Sequence, residues 1–131
     1  MKYLKAASAG RWPRRGQAAA RVAFWLLLAA VAVLSISPAR YLPPQAFSLW
    51  DKAEHALAFA ALMTLGALAY PRRVGLLAAS LLAFGGAIEL VQAATGWRSG
   101  EWADWLADGI GLACAGLSWS AVRRFLPAGL R

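Results

Sequence analysis

The chain has one cysteine and one histidine in 131 residues. A single thiol cannot close an intramolecular disulfide, and it cannot furnish a zinc ribbon. A single histidine excludes the HExxH metallopeptidase helix, and a phosphatase with a histidine nucleophile would want a second one. No cofactor or metal motif is legible, so neither is expected. Acids are scarce as well, 6 against 14 Lys and Arg, and only 15% of residues are charged. What fills the space is apolar: 60% of the chain is hydrophobic and the mean hydropathy is +0.51. Soluble domains run at roughly 45–50% apolar content.

A bilayer core about 30 Å thick is crossed by about 20 largely apolar residues in a helix. Four stretches qualify, at 18–37, 52–70, 74–95 and 103–122. Each is too long for a strand, and each is built on Leu and Ala rather than on alternating β-branched residues. The sequence therefore predicts an all-α membrane protein, a four-transmembrane-helix bundle. A basic segment before an apolar run can be a cleaved leader. Here the run ends in Ser37-Pro38-Ala39-Arg40 without a clean small-x-small site, so the first span is expected to be retained.

The formal charge of +8 would suit a nucleic-acid binder, but its distribution argues otherwise. Eleven of the 14 bases lie before the first span or at its inner end (Arg21), between the second and third, or after the fourth. The remaining bases, Arg40, Lys52 and Arg98, share the other side with all the acids: Asp51, Glu54, Glu89, Glu101, Asp104 and Asp108. The positive-inside rule puts both termini in the cytoplasm. No nucleic acid is expected as a partner; the basic flanks would meet anionic headgroups at the cytoplasmic face. Trp50, Trp97, Trp102 and Trp105 fall at the outer ends and Trp12, Trp25 and Trp119 towards the inner ends, the headgroup levels that indoles favour.

Residues 1–17 are expected to be a disordered basic cytoplasmic N-terminus, 18–122 the membrane domain and 123–131 a basic cytoplasmic tail. Pro38, Pro43 and Pro44 disfavour helix in the first outer loop, and the Pro71-Arg72-Arg73 segment makes a tight inner hairpin. Gly96 reads as a helix stop and Gly100 as a flexible point. In the fourth span Ala107, Gly111 and Ala115 recur every four residues, a small-residue seam of the kind on which helices pack in lipid. Gly85 and Gly86 would allow a similar approach in the third.

The outer polar residues have competing readings. Asp51 and Glu54 have capping-box spacing, with Asp51 as N-cap. His55 falls one turn from Asp51. Glu89 lies about six residues, roughly 9 Å, below the outer end of its span, where a carboxylate needs a partner or a proton; Gln92, one turn nearer water, could hydrogen-bond it. Asp104 and Asp108 are one turn apart, so they share a proton, bind a cation, or meet Lys52 or Arg98. Arg98 either joins such a lock or binds phosphate through its planar fork.

Taken in order, the pieces are DKxxH (Asp51, Lys52, His55), ExxQ (Glu89, Gln92), Arg98, and DxxxDxxG (Asp104, Asp108, Gly111). This order resembles the VanZ-like membrane proteins over residues 20–122. Two positions depart from the family pattern: Asp108 stands where Asn is usual, and Ala115 where Gly is usual. The resemblance implies a multi-pass protein of the bacterial cytoplasmic (inner) membrane that acts on the cell envelope. For the founding member it implies low-level teicoplanin resistance.

Function has to be argued from the site. Lys52, His55, Glu89, Gln92, Arg98, Asp104, Asp108 and Asp51 are the candidate catalytic or binding residues. In one reading they bind a membrane lipid or lipid-linked envelope molecule, or modulate glycopeptide susceptibility. In the other an enzyme acts on a phosphate-bearing lipid-linked substrate. Lys52 and Arg98 would then hold phosphate, and Glu89, Asp104 and His55 would do acid–base work or hold a divalent ion. Ion passage is disfavoured, because the inner halves of the spans carry no ionisable residue beyond Arg21.

Overall fold

The computed structural model describes residues 14–38 and 49–125. Expectations for the N-terminal residues before 14, for the proline-bearing loop at 39–48 and for the tail after 125 lie outside the described residues. Four α-helices account for the regular structure: α1 (Arg14–Ile36), α2 (Leu49–Ala69), α3 (Val74–Thr95) and α4 (Trp102–Phe125). Three of them, α1, α3 and α4, are long and apolar enough to cross a membrane. α2 does not meet that measure. Its first turns carry Lys52, Glu54 and His55 on an otherwise Ala- and Leu-rich helix.

Two helices run past the expected span ends. α1 begins at Arg14, inside the stretch expected to be disordered; Arg, Gln and Ala are strong helix formers and carry the helix outward. α4 continues through Arg123 and Arg124 to Phe125, where the cations complement the helix dipole. Between α2 and α3 the hairpin is tight. The Tyr70 amide donates to the Gly66 carbonyl at 2.7 Å, and the Arg73 amide to the Tyr70 carbonyl at 2.9 Å. α3 stops as expected at Gly96, whose φ of 75° is the left-handed C-cap conformation that glycine adopts without strain.

α2 is the centre of the bundle, packed most extensively on α4, next on α1, and also on α3. Phe59 and Leu62 of α2 are almost wholly buried, and they join Phe24, Met63, Leu81, Ile88 and Leu112 in one apolar core. The small-residue seam explains how α2 and α4 come so close. A Cβ on Gly111 would collide with the Ala56 backbone carbonyl, so the two backbones touch there. Large apolar side chains elsewhere point outward, among them Leu26, Val33, Leu90 and Leu117. An apolar exterior around a bundle with charges inside inverts the soluble pattern. It suits lipid.

Because the helices alternate in direction, the end of α1, the start of α2, the end of α3 and the start of α4 gather at one end. The contacts agree. The Gln92 side-chain amide of α3 donates to the Ser35 carbonyl at 2.8 Å, and the Trp97 indole donates to the Ile36 carbonyl at 3.3 Å. Glu54, Glu89, Glu101, Asp104 and Asp108 all belong to this end, whereas Arg21, Arg72, Arg73, Arg123 and Arg124 belong to the other.

Candidate functional site

Helical periodicity turns Lys52 and His55, three residues apart, to one side of α2, and turns Asp104 and Asp108, four apart, to one side of α4. The two rows meet. Lys52 Nζ donates to Asp104 Oδ1 at 2.8 Å and to Glu101 Oε2 at 3.0 Å. One turn deeper, His55 Nδ1 lies 2.9 Å from Asp108 Oδ1. The pairs differ in their solvent. The Lys52 and Glu101 side chains are half exposed, while those of His55 and Asp108 are 10% and 0% exposed. With Nδ1–H donating to Asp108, the imidazole carries its lone pair on Nε2.

The two aspartates therefore each have a basic partner on α2, and the structure does not pair them with each other. Sequence spacing alone left their partners open; the approach of α2 brings Lys52 to Asp104 and His55 to Asp108.

α3 closes the site. Glu89 and Gln92 are both buried, at 8% and 2% exposure. The Glu89–Gln92 hydrogen bond that the spacing allows is not made by these two described residues. Glu89 Oε2 accepts from the Glu101 backbone amide at 2.7 Å, and Gln92 turns to the end of α1. Each side chain satisfies an orphan backbone group at a helix end, which outcompetes a bond along the same helix. Glu89 Oε1, Gln92 Oε1 and Asp108 Oδ2 are buried without a hydrogen-bond partner.

Gly100 is a close-approach residue rather than a flexible point. A Cβ there would run into the Glu89 carbonyl and Ala93, so the loop folds tightly onto α3 and delivers the Glu101 amide to Glu89. Asp108 is similarly seated, since its carboxylate occupies the space a Cβ on Gly85 would need. Trp105 joins the same wall by donating its indole N–H to the Leu82 carbonyl at 2.9 Å.

The remaining candidates fare unequally. Arg98 is half-buried in the loop between α3 and α4. Asp51 lies inside α2, which begins at Leu49. The N-cap reading of Asp51 is thus overturned, because Leu49 and Trp50 extend the helix outward past it; its side chain lies outside the described residues. Glu54, the other half of the capping box, is exposed on α2. Glu101 is the residue that sequence reasoning missed as a member of the site. Its position immediately before α4, where backbone amides lack helical partners, was the available signal.

His55, Glu89 and Asp104 also converge: each offers a donor atom, and these lie within 4.8 Å of one another. The arrangement is a half-buried ammonium over a buried cluster of carboxylates, an imidazole and an amide, set at one end of an apolar bundle. It can bind a polar headgroup or a cation.

The chain thus has the architecture of a small helical protein with three helices long and apolar enough to cross a membrane and a polar cluster at one end. No family model, curated protein or solved structure matches it.

Proposed function

We propose that the chain is a VanZ-like protein of the bacterial inner membrane, with four spans and both termini cytoplasmic. Its polar end faces outward and binds an amphiphilic envelope molecule, a membrane lipid or a lipid-linked precursor. Through that ligand it modulates envelope or glycopeptide (teicoplanin) susceptibility.

One observation carries the reading. Six of the described residues on which the resemblance rests, Lys52, His55, Glu89, Gln92, Asp104 and Asp108, lie on three helices and share one end of the bundle. Buried polar groups in an apolar bundle are costly, and they mark function by default. Counting α2 as a span is supported by its central packing: a helix enclosed by its neighbours tolerates charges that a lipid-facing helix does not. The outward orientation rests on the separation of bases from acids between the two ends.

The alternative is an enzyme acting on a phosphate-bearing lipid-linked substrate. What favours it is the close grouping of His55, Glu89 and Asp104. What weighs against phosphate capture by Lys52 is that its ammonium already serves Asp104 and Glu101.

Mass spectrometry of envelope lipids and peptidoglycan precursors tests both. The comparison is between cells lacking the protein, cells expressing it, and cells expressing Glu89→Gln at matched abundance. The same molecules are sought in the purified protein. A lipid that co-purifies with the wild type and is lost in Glu89→Gln is the expected result. A species converted only by intact protein would move the assignment to the enzyme. Equal lipid content in wild type and variant, with no altered species, would sink the outward-site reading.

A further inference from the structure

We infer that His55, Glu89 and Asp104 form a site for one divalent transition-metal cation of the zinc or manganese type. The inference goes beyond envelope-ligand binding and stands or falls without it.

Three helices each contribute one donor: His55 from α2, Glu89 from α3 and Asp104 from α4, with the donor atoms within 4.8 Å of one another. Exposed acids often cluster without binding anything, but these acids are not exposed. Glu89 is 8% and Asp104 4% exposed. A second, separate feature points to a ligand. Glu89 receives a hydrogen bond on Oε2 only, from the Glu101 amide, and its Oε1 is buried without a partner. A carboxylate enclosed in this way calls for positive charge or a proton.

The surroundings match what metal sites use. Asp108 Oδ1 lies 2.9 Å from His55 Nδ1. A carboxylate that accepts from one imidazole nitrogen fixes the tautomer and ring orientation, and it raises the basicity of the other nitrogen. Asp104 spends Oδ1 on Lys52 and has a second oxygen to offer. Lys52 also reaches Glu101 at 3.0 Å, so it keeps a carboxylate partner when a cation draws on Asp104. Three buried carboxylates, Glu89, Asp104 and Asp108, stand here against one half-exposed ammonium and one imidazole, with Arg98 in the adjoining loop.

The donor types choose the ion. One imidazole nitrogen with two carboxylate oxygens suits zinc or manganese, whereas magnesium and calcium prefer oxygen throughout. Donors about 2.0–2.2 Å from zinc stand roughly 3.4 Å apart in a tetrahedral shell and about 4.2 Å apart when opposite. Side-chain torsions supply the modest contraction this asks of the widest edge.

The test uses the full chain, purified in detergent through a tag without histidine, stripped with chelator and dialysed against Zn²⁺ or Mn²⁺. Elemental analysis is expected to count one ion per chain. Pulsed paramagnetic resonance of the bound Mn²⁺ should show coupling to an imidazole nitrogen. Because His55 is the only histidine in the chain, that coupling identifies the ligand without mutagenesis. Asp108→Asn, behind the ligand His55, should weaken affinity by about 10–100-fold, Glu89→Gln should weaken it at least as much, and Glu54→Gln, on the exposed side of α2, should leave it unchanged. Non-saturating uptake, absence of nitrogen coupling, or a Glu89→Gln variant that holds metal as the wild type does would overturn the site. If Glu89→Gln does not accumulate, the wild-type stoichiometry and coupling decide alone. A protein that binds metal but no lipid would retire the envelope-ligand reading and keep this one, and the converse holds equally.

Discussion

The two ends of the bundle use charge in opposite ways. At one end Lys52, His55, Glu89, Asp104 and Asp108 turn inward and pair across helices, and Asp108 is wholly buried. At the other, Arg21 is exposed and lies over the Tyr70 ring, 5.3 Å from its centroid. Trp25 donates to the Tyr70 hydroxyl at 3.1 Å, and Phe24 meets Tyr70 edge-on at 6.1 Å. The first end is a set of specific, desolvated partnerships. The second is an aromatic and basic rim of the kind that seats a helix bundle at headgroup level. Charge inside a bundle dictates which helices pair; charge at its rim dictates how the bundle lies.

This contrast can be broken by substitution, and the largest effect should come from the inward end. His55→Leu strands the Asp108 carboxylate, and removing one partner of a buried pair costs about 3–5 kcal/mol. The thermal midpoint of the detergent-solubilised protein should fall steeply, and the His55→Leu, Asp108→Leu double variant should recover much of the loss. No recovery would mean that the pair is not the unit of stability. Gly111→Ala comes next. The new methyl meets the Ala56 carbonyl, and overpacking of this kind costs about 1–3 kcal/mol. A cysteine pair engineered between α2 and α4 should then cross-link more slowly, while an α1–α2 pair is unaffected. Smallest is Tyr70→Phe at the opposite end. It removes one exposed hydrogen bond and weakens a surface cation–π contact worth about 0.5–1 kcal/mol, so the midpoint should barely move. A Tyr70→Phe loss as large as that of His55→Leu would erase the distinction between the two ends.

Much of this was legible in the residues. Runs of Leu and Ala announced four helices, and the structure has four, with α3 matching its expected bounds of 74–95. The alternate placement of bases and acids foretold which residues would share an end. The every-fourth-residue seam through Gly111 foretold a close helix contact. Partnerships were harder. Asp104 had Lys52, Arg98 and Asp108 as candidate neighbours on spacing alone. The rotation of α2 against α4 chose Lys52 for Asp104 and His55 for Asp108. Gln92 could have served Glu89 but bonds Ser35, because a long-range backbone acceptor at the end of α1 has no trace in local spacing. Glu101 entered the site through its backbone amide as well as its side chain, and side-chain patterning is blind to the first of these.

The sequence by itself determined the helical class, the apolar exterior and the gathering of acids at one end, because these follow from hydropathy, periodicity and the alternating direction of consecutive helices. Only the tertiary structure decided that α2 is the central helix, which carboxylate answers which base, and that His55, Glu89 and Asp104 converge. Those facts depend on how far each helix turns about its own axis, and close backbone contact at Gly111 and the seating of Asp108 against Gly85 set that rotation.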